Sequence, residues 1–205
     1  MSSPASKTPE VPALVSVEEY LRQERAAVFK HEYFNGEVRP MAGASYAHNL
    51  ICSNLAAAIS QHLRGSSGRV VGSTQRAYVA AANTFCYPDL AVVQGAPEFL
   101  DETQETLLNP ALLVQIVTPA PNGAWDGRFG LYRQLPSLQQ FVLLHSTQAY
   151  AEWYWRDEQG RWLLTDTNAQ PGVLELPGIG CEVPLAEVYA GVQVGSSAQS
   201  GELSA

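Results

Sequence analysis

Basic residues are scarce in this sequence, and lysine is almost absent. Lys7 and Lys30 are the two lysines; with ten arginines they face twenty Asp and Glu residues, which leaves a formal charge of −8. The sequence pI is near 4.9. Such a charge repels the phosphate backbone of nucleic acids over the molecule as a whole. The composition therefore argues against a protein that coats DNA non-specifically, although a few arginines could still form a local basic groove.

Cysteine is also rare, and long hydrophobic runs are missing. Cys52, Cys86 and Cys181 are far apart and form no CxxC pair, so we expect reduced, mostly buried thiols and neither a disulfide framework nor a zinc site. No apolar run approaches the ~20 residues that span a bilayer, and the amino terminus shows no signal-type segment. We therefore expect a cytoplasmic protein without a membrane partner.

Motifs of several enzyme classes are missing as well. Neither GxGxxG nor GxxxxGK[ST] occurs, so a nucleotide cofactor has no support. GxSxG is absent, and no cysteine lies near a histidine in a recognisable nucleophile setting, which argues against acyl-transfer hydrolases.

In other respects the composition is typical of one globular domain. The chain has 205 residues, of which 46% are hydrophobic and 16% charged, enough for a sizeable core. The two ends are rich in Ser and other small or polar residues without periodicity. We expect a single domain over residues 15–193, with flexible tails at 1–14 and 194–205.

Local patterns predict an α+β or α/β fold with a mixed central β-sheet flanked by helices. A capping box of Ser16 and Glu19 indicates a helix over 17–25, a three-and-four apolar spacing indicates a longer helix over 46–64, and Asn35-Gly36 indicates a hairpin over 32–41. The other predicted strands are 69–72, 75–80, 84–93, 112–117, 141–145, 149–156, 161–165, 173–176 and 180–183, and the last two are expected to close the sheet. Shorter helices are expected at 125–135 and 184–189, and a surface loop at 94–109.

Three tryptophans lie in the hairpin predicted over 149–165. Trp153, Trp155 and Trp162 alternate with polar residues, which indicates either a core face or a contact surface for a second subunit. We favour the contact surface and therefore expect a homodimer.

Two strands that look buried each carry one polar residue where a core residue is expected. Asp89 precedes the apolar run 90–93, and Gln115 interrupts the run 112–117. A buried carboxylate is unfavourable unless it is paired or bound to a metal, so Asp89 is a candidate site residue. Alternatively, Pro88-Asp89 is only a turn whose carboxylate accepts from local backbone amides.

The order Pro88-Asp89, Gln115, Arg128 resembles the skeleton of the PD-(D/E)XK nuclease superfamily. The surrounding sequence resembles its restriction-endonuclease-like Uma-two branch over nearly the whole chain. The matching pieces are His31-Glu32-Tyr33-Phe34-Asn35-Gly36-Glu37, Met41-Ala42-Gly43-Ala44-Ser45, His48-Asn49, Tyr87-Pro88-Asp89, Thr118-Pro119, Tyr132-Arg133-Gln134-Leu135-Pro136-Ser137-Leu138 and Leu176-Pro177-Gly178. This resemblance implies a restriction-endonuclease-like core with an added β-hairpin region.

The sequence departs from that family at two positions. Gln115 stands where the family has its second acidic residue, and Arg128 stands where it has a Lys four residues before a Tyr. The resemblance also points to Glu32 as a replacement carboxylate and to His48 as an auxiliary polar group. The residues alone also allow Glu32 and Glu37 to be solvent-facing hairpin residues, and His48 to be a surface or capping residue.

Two functions follow from this combination. The first is a metal-dependent endonuclease that hydrolyses DNA, with Mg²⁺ or Mn²⁺ at Asp89, Gln115 and Glu32, Arg128 as the phosphate cation, and weakened activity. The second is a catalytically inactive relative that serves as a binding or dimeric scaffold. The charge of −8 and Gln115 favour the second function. Asp89, Glu32 and His48 favour the first, and in either case we expect only weak DNA binding.

Overall fold

A computed structural model of the chain describes residues 14–118 and 127–194. Both expected tails lie outside these residues, apart from their innermost positions, and so do the first two residues of the helix predicted over 125–135. The helices in the described ranges are α1 (Val17–Ala26), α2 (Tyr46–His62), α3 (Arg128–Tyr132) and α4 (Leu185–Val188).

Strands make up most of the fold. They are β1 (His31–Phe34), β2 (Glu37–Pro40), β3 (Arg69–Gly72), β4 (Arg76–Val79), β5 (Thr84–Cys86), β6 (Leu90–Val93), β7 (Thr106–Leu107), β8 (Leu112–Val117), β9 (Gln140–His145), β10 (Ala151–Arg156), β11 (Trp162–Asp166), β12 (Val173–Leu176) and β13 (Cys181–Pro184). The mixture of strands and few helices confirms the predicted α+β class.

The two helices and the hairpin with the clearest local sequence signals form where they were predicted. Ser16 caps α1 by accepting a hydrogen bond from the Glu19 backbone N–H at 3.2 Å. Asn35 and Gly36 have φ of 45° and 105°, the left-handed values that a tight turn between β1 and β2 requires. Ser45 caps α2 by accepting from the His48 backbone N–H, which fixes His48 in the first turn of that helix.

A six-stranded mixed sheet forms the centre of the molecule. Its strand order is β11-β10-β9-β8-β6-β3, with β8 and β9 parallel and the other neighbours antiparallel. Alternate residues point to opposite faces of each strand. Leu112 and Val114 pack with α2 on one face, whereas Leu113 packs with Tyr132 of α3 on the other. The predicted central sheet with helices on both sides is therefore confirmed.

A second sheet has five strands, in the order β2-β1-β5-β4-β7. The strand predicted over 84–93 is in fact two strands, with β5 in this sheet and β6 in the central sheet. Pro88 explains the break, because it has no N–H to continue a ladder. Residues 87–89 therefore cross from one sheet to the other, and Asp89 lies at the crossing.

Three further predictions were wrong in detail. The segment 94–109, expected to be a surface loop, contains β7, which pairs with β4. Strands β12 and β13 form their own two-stranded sheet and do not close the central one. Trp153 is fully buried in the main hydrophobic cluster, with Trp155 partly buried against it, so Trp153 belongs to the core and not to a contact surface.

The third tryptophan of the hairpin also packs against another residue of the same chain. Trp162 packs edge-on against Phe129 of α3 with ring centroids 5.1 Å apart. The three cysteines are free thiols, as expected. No helix in the described part of the chain is long and apolar enough to cross a membrane.

Candidate active site

An open cleft of about 860 Å³ lies where residues 87–89 pass between the two large sheets. All five predicted site residues line it, although they come from five different parts of the chain. They are Glu32 on β1, His48 on α2, Asp89 before β6, Gln115 on β8 and Arg128 at the start of α3. The structure therefore brings together the whole set that the sequence singled out.

Asp89 is held from three sides, and its side chain is 8% exposed. Its Oδ1 lies 2.8 Å from His48 Nε2, which donates when Asp89 is ionised. Its Oδ2 accepts from the Gln115 side-chain amide at 2.8 Å and from the Ile116 backbone N–H at 2.6 Å. The backbone partner lies on another strand and not in a local turn, so the turn interpretation of Asp89 is wrong.

Glu32 and Arg128 form a two-pronged ion pair. Arg128 Nη1 donates to Glu32 Oε1 at 2.7 Å, and Nη2 donates to Oε2 at 2.9 Å. The side chains are 8% and 22% exposed respectively, and the Tyr87 backbone N–H also donates to Glu32 Oε1. Glu32 is therefore not a solvent-facing hairpin residue. Glu37 across the turn is one, because it is exposed and pairs with Arg39.

Tyr132 links the two halves of the cluster, a role that was not predicted for it. Its hydroxyl lies 3.5 Å from Gln115 Oε1 and 3.5 Å from Arg128 Nη1. Complete burial raises the pKa of the Tyr132 hydroxyl well above its ordinary value, so the group is protonated and can donate to Gln115. The hint in the sequence is the four-residue spacing of Arg128 and Tyr132, which places both on one side of α3.

A buried polar network behind the cleft was not predicted at all. Glu24 and Arg76 are 2% and 3% exposed, and both contact the Tyr87 hydroxyl, at 2.9 Å and 3.2 Å respectively. Tyr87 in turn presents its backbone N–H to Glu32. The sequence contains one weak signal for this network, since Tyr20 and Glu24 are four residues apart and are the buried positions of α1.

Cys52 also lines the cleft, with its sulfur 3.6 Å from the Asp89 carbonyl oxygen. Burial, with the negative charge of Asp89, raises the pKa of this thiol to about 11. The thiolate is the reactive form of cysteine, so Cys52 is a packing residue and not a nucleophile at neutral pH.

The donor atoms of the cleft fit a hard divalent cation of the Mg²⁺ or Mn²⁺ kind. Asp89 and Glu32 offer carboxylate oxygens, and Gln115 offers an amide oxygen. Among residues 14–118 and 127–194, no three His, Cys, Asp or Glu side chains form a ready-made metal cluster. Magnesium rarely needs one, because it keeps several waters and takes one or two carboxylates together with substrate phosphate oxygens. The set therefore fits an ion that arrives with a phosphate.

Comparisons with known proteins give a matching family model and relatives of similar length. The sequence model of the Uma2 family, described as a putative restriction endonuclease, matches residues 17–186. The uncharacterized Synechocystis protein slr1290 is 31% identical over 93% of this chain and 97% of its own length. A second uncharacterized Synechocystis protein, sll1609, is 29% identical over 79% of this chain and 92% of its own length.

A solved structure shares the fold. The crystal structure of a putative nuclease belonging to DUF820 from Anabaena variabilis superposes with a TM-score of 0.64, covering 85% of this chain and 97% of that one, at 14% identity. The match of the family model over most of the chain confirms the resemblance seen in the sequence, and the chain belongs to the Uma2 restriction-endonuclease-like family.

Proposed function

We propose that this protein is a weak DNA endonuclease, dependent on a divalent cation, that cleaves phosphodiester bonds in the cleft around Asp89. The observation that supports the proposal is the convergence of Asp89, Gln115, Glu32, Arg128 and His48 on one open cleft. Carboxylate oxygens beside an arginine form the environment that phosphoryl chemistry needs, since the cation neutralises charge that develops on the phosphate.

Each residue has a distinct role in this proposal. Asp89, Glu32 and the Gln115 amide oxygen would hold the ion, which would polarise the phosphate and lower the pKa of the attacking water. The Ile116 N–H and His48 fix the orientation of the Asp89 carboxylate. Arg128 would exchange Glu32 for a phosphate oxygen, because a guanidinium binds both groups with the same two-pronged geometry.

The same contacts account for low activity. Gln115 turns its amide nitrogen to Asp89, and Arg128 occupies both oxygens of Glu32, so an ion must displace two internal interactions before it binds. Gln115 is uncharged. The site therefore has one negative charge fewer than a site with Asp89, Glu32 and an acidic residue at position 115. We therefore expect weak affinity for the ion when DNA is absent.

A nicking assay tests the function. Wild-type protein with Mn²⁺ or Mg²⁺ should convert supercoiled plasmid to the open-circular form slowly, and EDTA should stop the conversion. Asp89→Ala should remove the activity, because Glu32 and Gln115 alone cannot hold the ion. Activity that Asp89→Ala leaves unchanged would place the chemistry elsewhere.

The second candidate function is an inactive relative that uses the cleft as a binding or dimeric scaffold. The Gln115 contact favours it, since an amide that donates to Asp89 satisfies the carboxylate without any ion. Absence of nicking by wild-type protein at millimolar Mn²⁺ would select this second function.

DNA binding should be weak and confined to low salt. Several arginines are engaged within the protein: Arg22 with Glu19, Arg25 with Asp101, Arg39 with Glu37, Arg161 with Asp157, and Arg76 in the interior. In fluorescence anisotropy we expect binding to a labelled duplex to be lost by about 0.2 M salt, where phosphate contacts are strongly weakened. Tight binding above that concentration would show that a basic surface has been overlooked.

We also propose that two copies associate through β11. Within the described residues this strand pairs with β10 alone, and Leu163 and Leu164 are 37% and 58% exposed on its opposite faces. An unpaired, apolar edge strand is a ready template for a second strand. Light scattering at micromolar concentration should give about twice the chain mass of 22.2 kDa.

A charge on the edge strand provides the control for this association. Leu164→Lys should yield monomers, whereas Val28→Lys, at a position 90% exposed and distant in sequence, should leave the mass unchanged. A wild-type protein that is monomeric at micromolar concentration would contradict the proposal.

A further inference from the structure

Large hydrophobic side chains are exposed on two segments that adjoin the residues lining the cleft. Seven such side chains are exposed among the residues that the structure describes, and three of them are Val28, Phe29 and Tyr46, at 90%, 75% and 80%. Single exposed apolar residues are ordinary, but a group beside a functional site indicates a contact surface. We call residues 28–30 together with Tyr46 the lip of the cleft.

The backbone places the lip next to the proposed site. The Met41 N–H donates to the Lys30 carbonyl at 2.9 Å, so the segment before β1 lies against the segment that follows β2. That second segment lines the cleft through residues 41–44. It leads directly to Tyr46 and to His48, which contacts Asp89.

Cations accompany the aromatic rings of this region. Lys30 is exposed, and its Nζ lies 5.6 Å from the centroid of the Tyr87 ring, which lines the cleft. The Arg39 guanidinium lies 4.7 Å from the centroid of the Phe34 ring and lines the cleft, but it is paired with Glu37 and adds little attraction for a phosphate. Tyr87 is only 2% exposed, so the exposed rings of Phe29 and Tyr46 are the surfaces on which bases can stack, while Lys30 beside Phe29 attracts a phosphate.

We propose that the lip stacks on unpaired bases of the strand whose phosphate enters the cleft, so that the substrate class is single-stranded DNA or unpaired DNA ends. The proposal rests on the function proposed above and names its substrate. Bases in a continuous duplex are stacked on one another and cannot present their faces to Phe29 and Tyr46. The acidic molecule gains its local affinity for DNA from stacking more than from phosphate contacts.

Fluorescence anisotropy in EDTA tests this proposal without any cleavage. The probes are a labelled 20-nucleotide single strand and its blunt duplex at about 50 mM salt, a concentration at which phosphate contacts still hold. Wild-type protein should bind the single strand more tightly. Phe29→Ala and Tyr46→Ala should each weaken single-strand binding by at least about fivefold, the lower end of the stacking contribution of one base.

Three comparisons keep this effect specific. Tyr46→Phe should bind the single strand like wild type because it keeps the ring. Leu100→Ala should not change single-strand binding. Duplex binding should stay within about twofold for every lip variant, since duplex bases do not stack on side chains. Equal affinity of wild type for both probes, or no loss in Phe29→Ala and Tyr46→Ala, would overturn the proposal.

The outcome is separable from the endonuclease function. If the lip variants bind normally while plasmid nicking remains dependent on Asp89, the lip proposal fails and the function stands. If Phe29→Ala changes the mass in light scattering and leaves single-strand binding intact, a second copy covers the lip and the proposal also fails. Loss of single-strand binding in the lip variants, with no cleavage of plasmid or of the single strand by wild type in Mn²⁺, would leave the lip in place and refute the endonuclease.

Discussion

Gln115→Glu is expected to raise the affinity for Mn²⁺ by about ten- to a hundredfold and to increase plasmid nicking. The substitution removes the amide hydrogen that now donates to Asp89 Oδ2 at 2.8 Å and puts a second carboxylate in its place. Two carboxylates at that separation repel each other unless a cation lies between them. Calorimetry with MnCl₂ and the nicking assay measure the two effects.

Further variants locate the effect within the cluster. Gln115→Glu with Arg128→Lys should enhance cleavage more strongly, and adding Asp89→Ala should abolish it. Gln134→Glu is the matched control, because it makes the same change at an exposed position and should alter neither quantity. If the double variant gains neither metal affinity nor cleavage, the pocket has decayed beyond two positions and the nuclease function should be abandoned.

Arg128→Met is expected to destabilise the fold by about 3 kcal/mol, the lower end of the cost of breaking a buried ion pair. The Glu32 carboxyl group, whose side chain is 8% exposed, would stay buried without the guanidinium that now occupies both of its oxygens. The lower end applies because the Arg128 side chain is still 22% exposed. Urea unfolding monitored by tryptophan fluorescence measures the change.

A surface pair gives the comparison for that value. The Arg22–Glu19 pair has side chains 70% and 40% exposed, so Arg22→Met should leave the free energy of unfolding almost unchanged. Glu32→Gln combined with Arg128→Met should recover part of the loss, since no buried charge then remains unpaired. A loss below about 1 kcal/mol for Arg128→Met would mean that the pair is solvated like a surface pair.

Local sequence signals predicted most individual elements because their causes are local. The Ser16 cap, the Asn35-Gly36 turn and the apolar spacing of α2 each involve residues a few positions apart. The sheet to which a strand belongs depends on distant partners, so the separation of β5 from β6 and the independent β12–β13 sheet were missed. Pro88 could have indicated the first of these, since it cannot donate to a ladder.

The candidate site was predicted in its membership but not in its contacts. Asp89 and Gln115 were identifiable because each is a polar residue in an apolar strand. The pairing of Glu32 with Arg128, 96 residues away, depends on the tertiary fold. That Gln115 donates to Asp89 follows from the relative placement of β8 and residue 89, which no sequence pattern specifies.

The central claim is that the cluster around Asp89 holds a cation together with a DNA phosphate. Crystals grown with Mn²⁺ and a short single-stranded oligonucleotide, measured at the manganese absorption edge, test it directly. An anomalous peak at about 2.0–2.4 Å from an Asp89 carboxylate oxygen, with a phosphate on the opposite side, is the predicted result. Bound oligonucleotide with no manganese peak near Asp89, or a peak bound by other residues, would contradict the account.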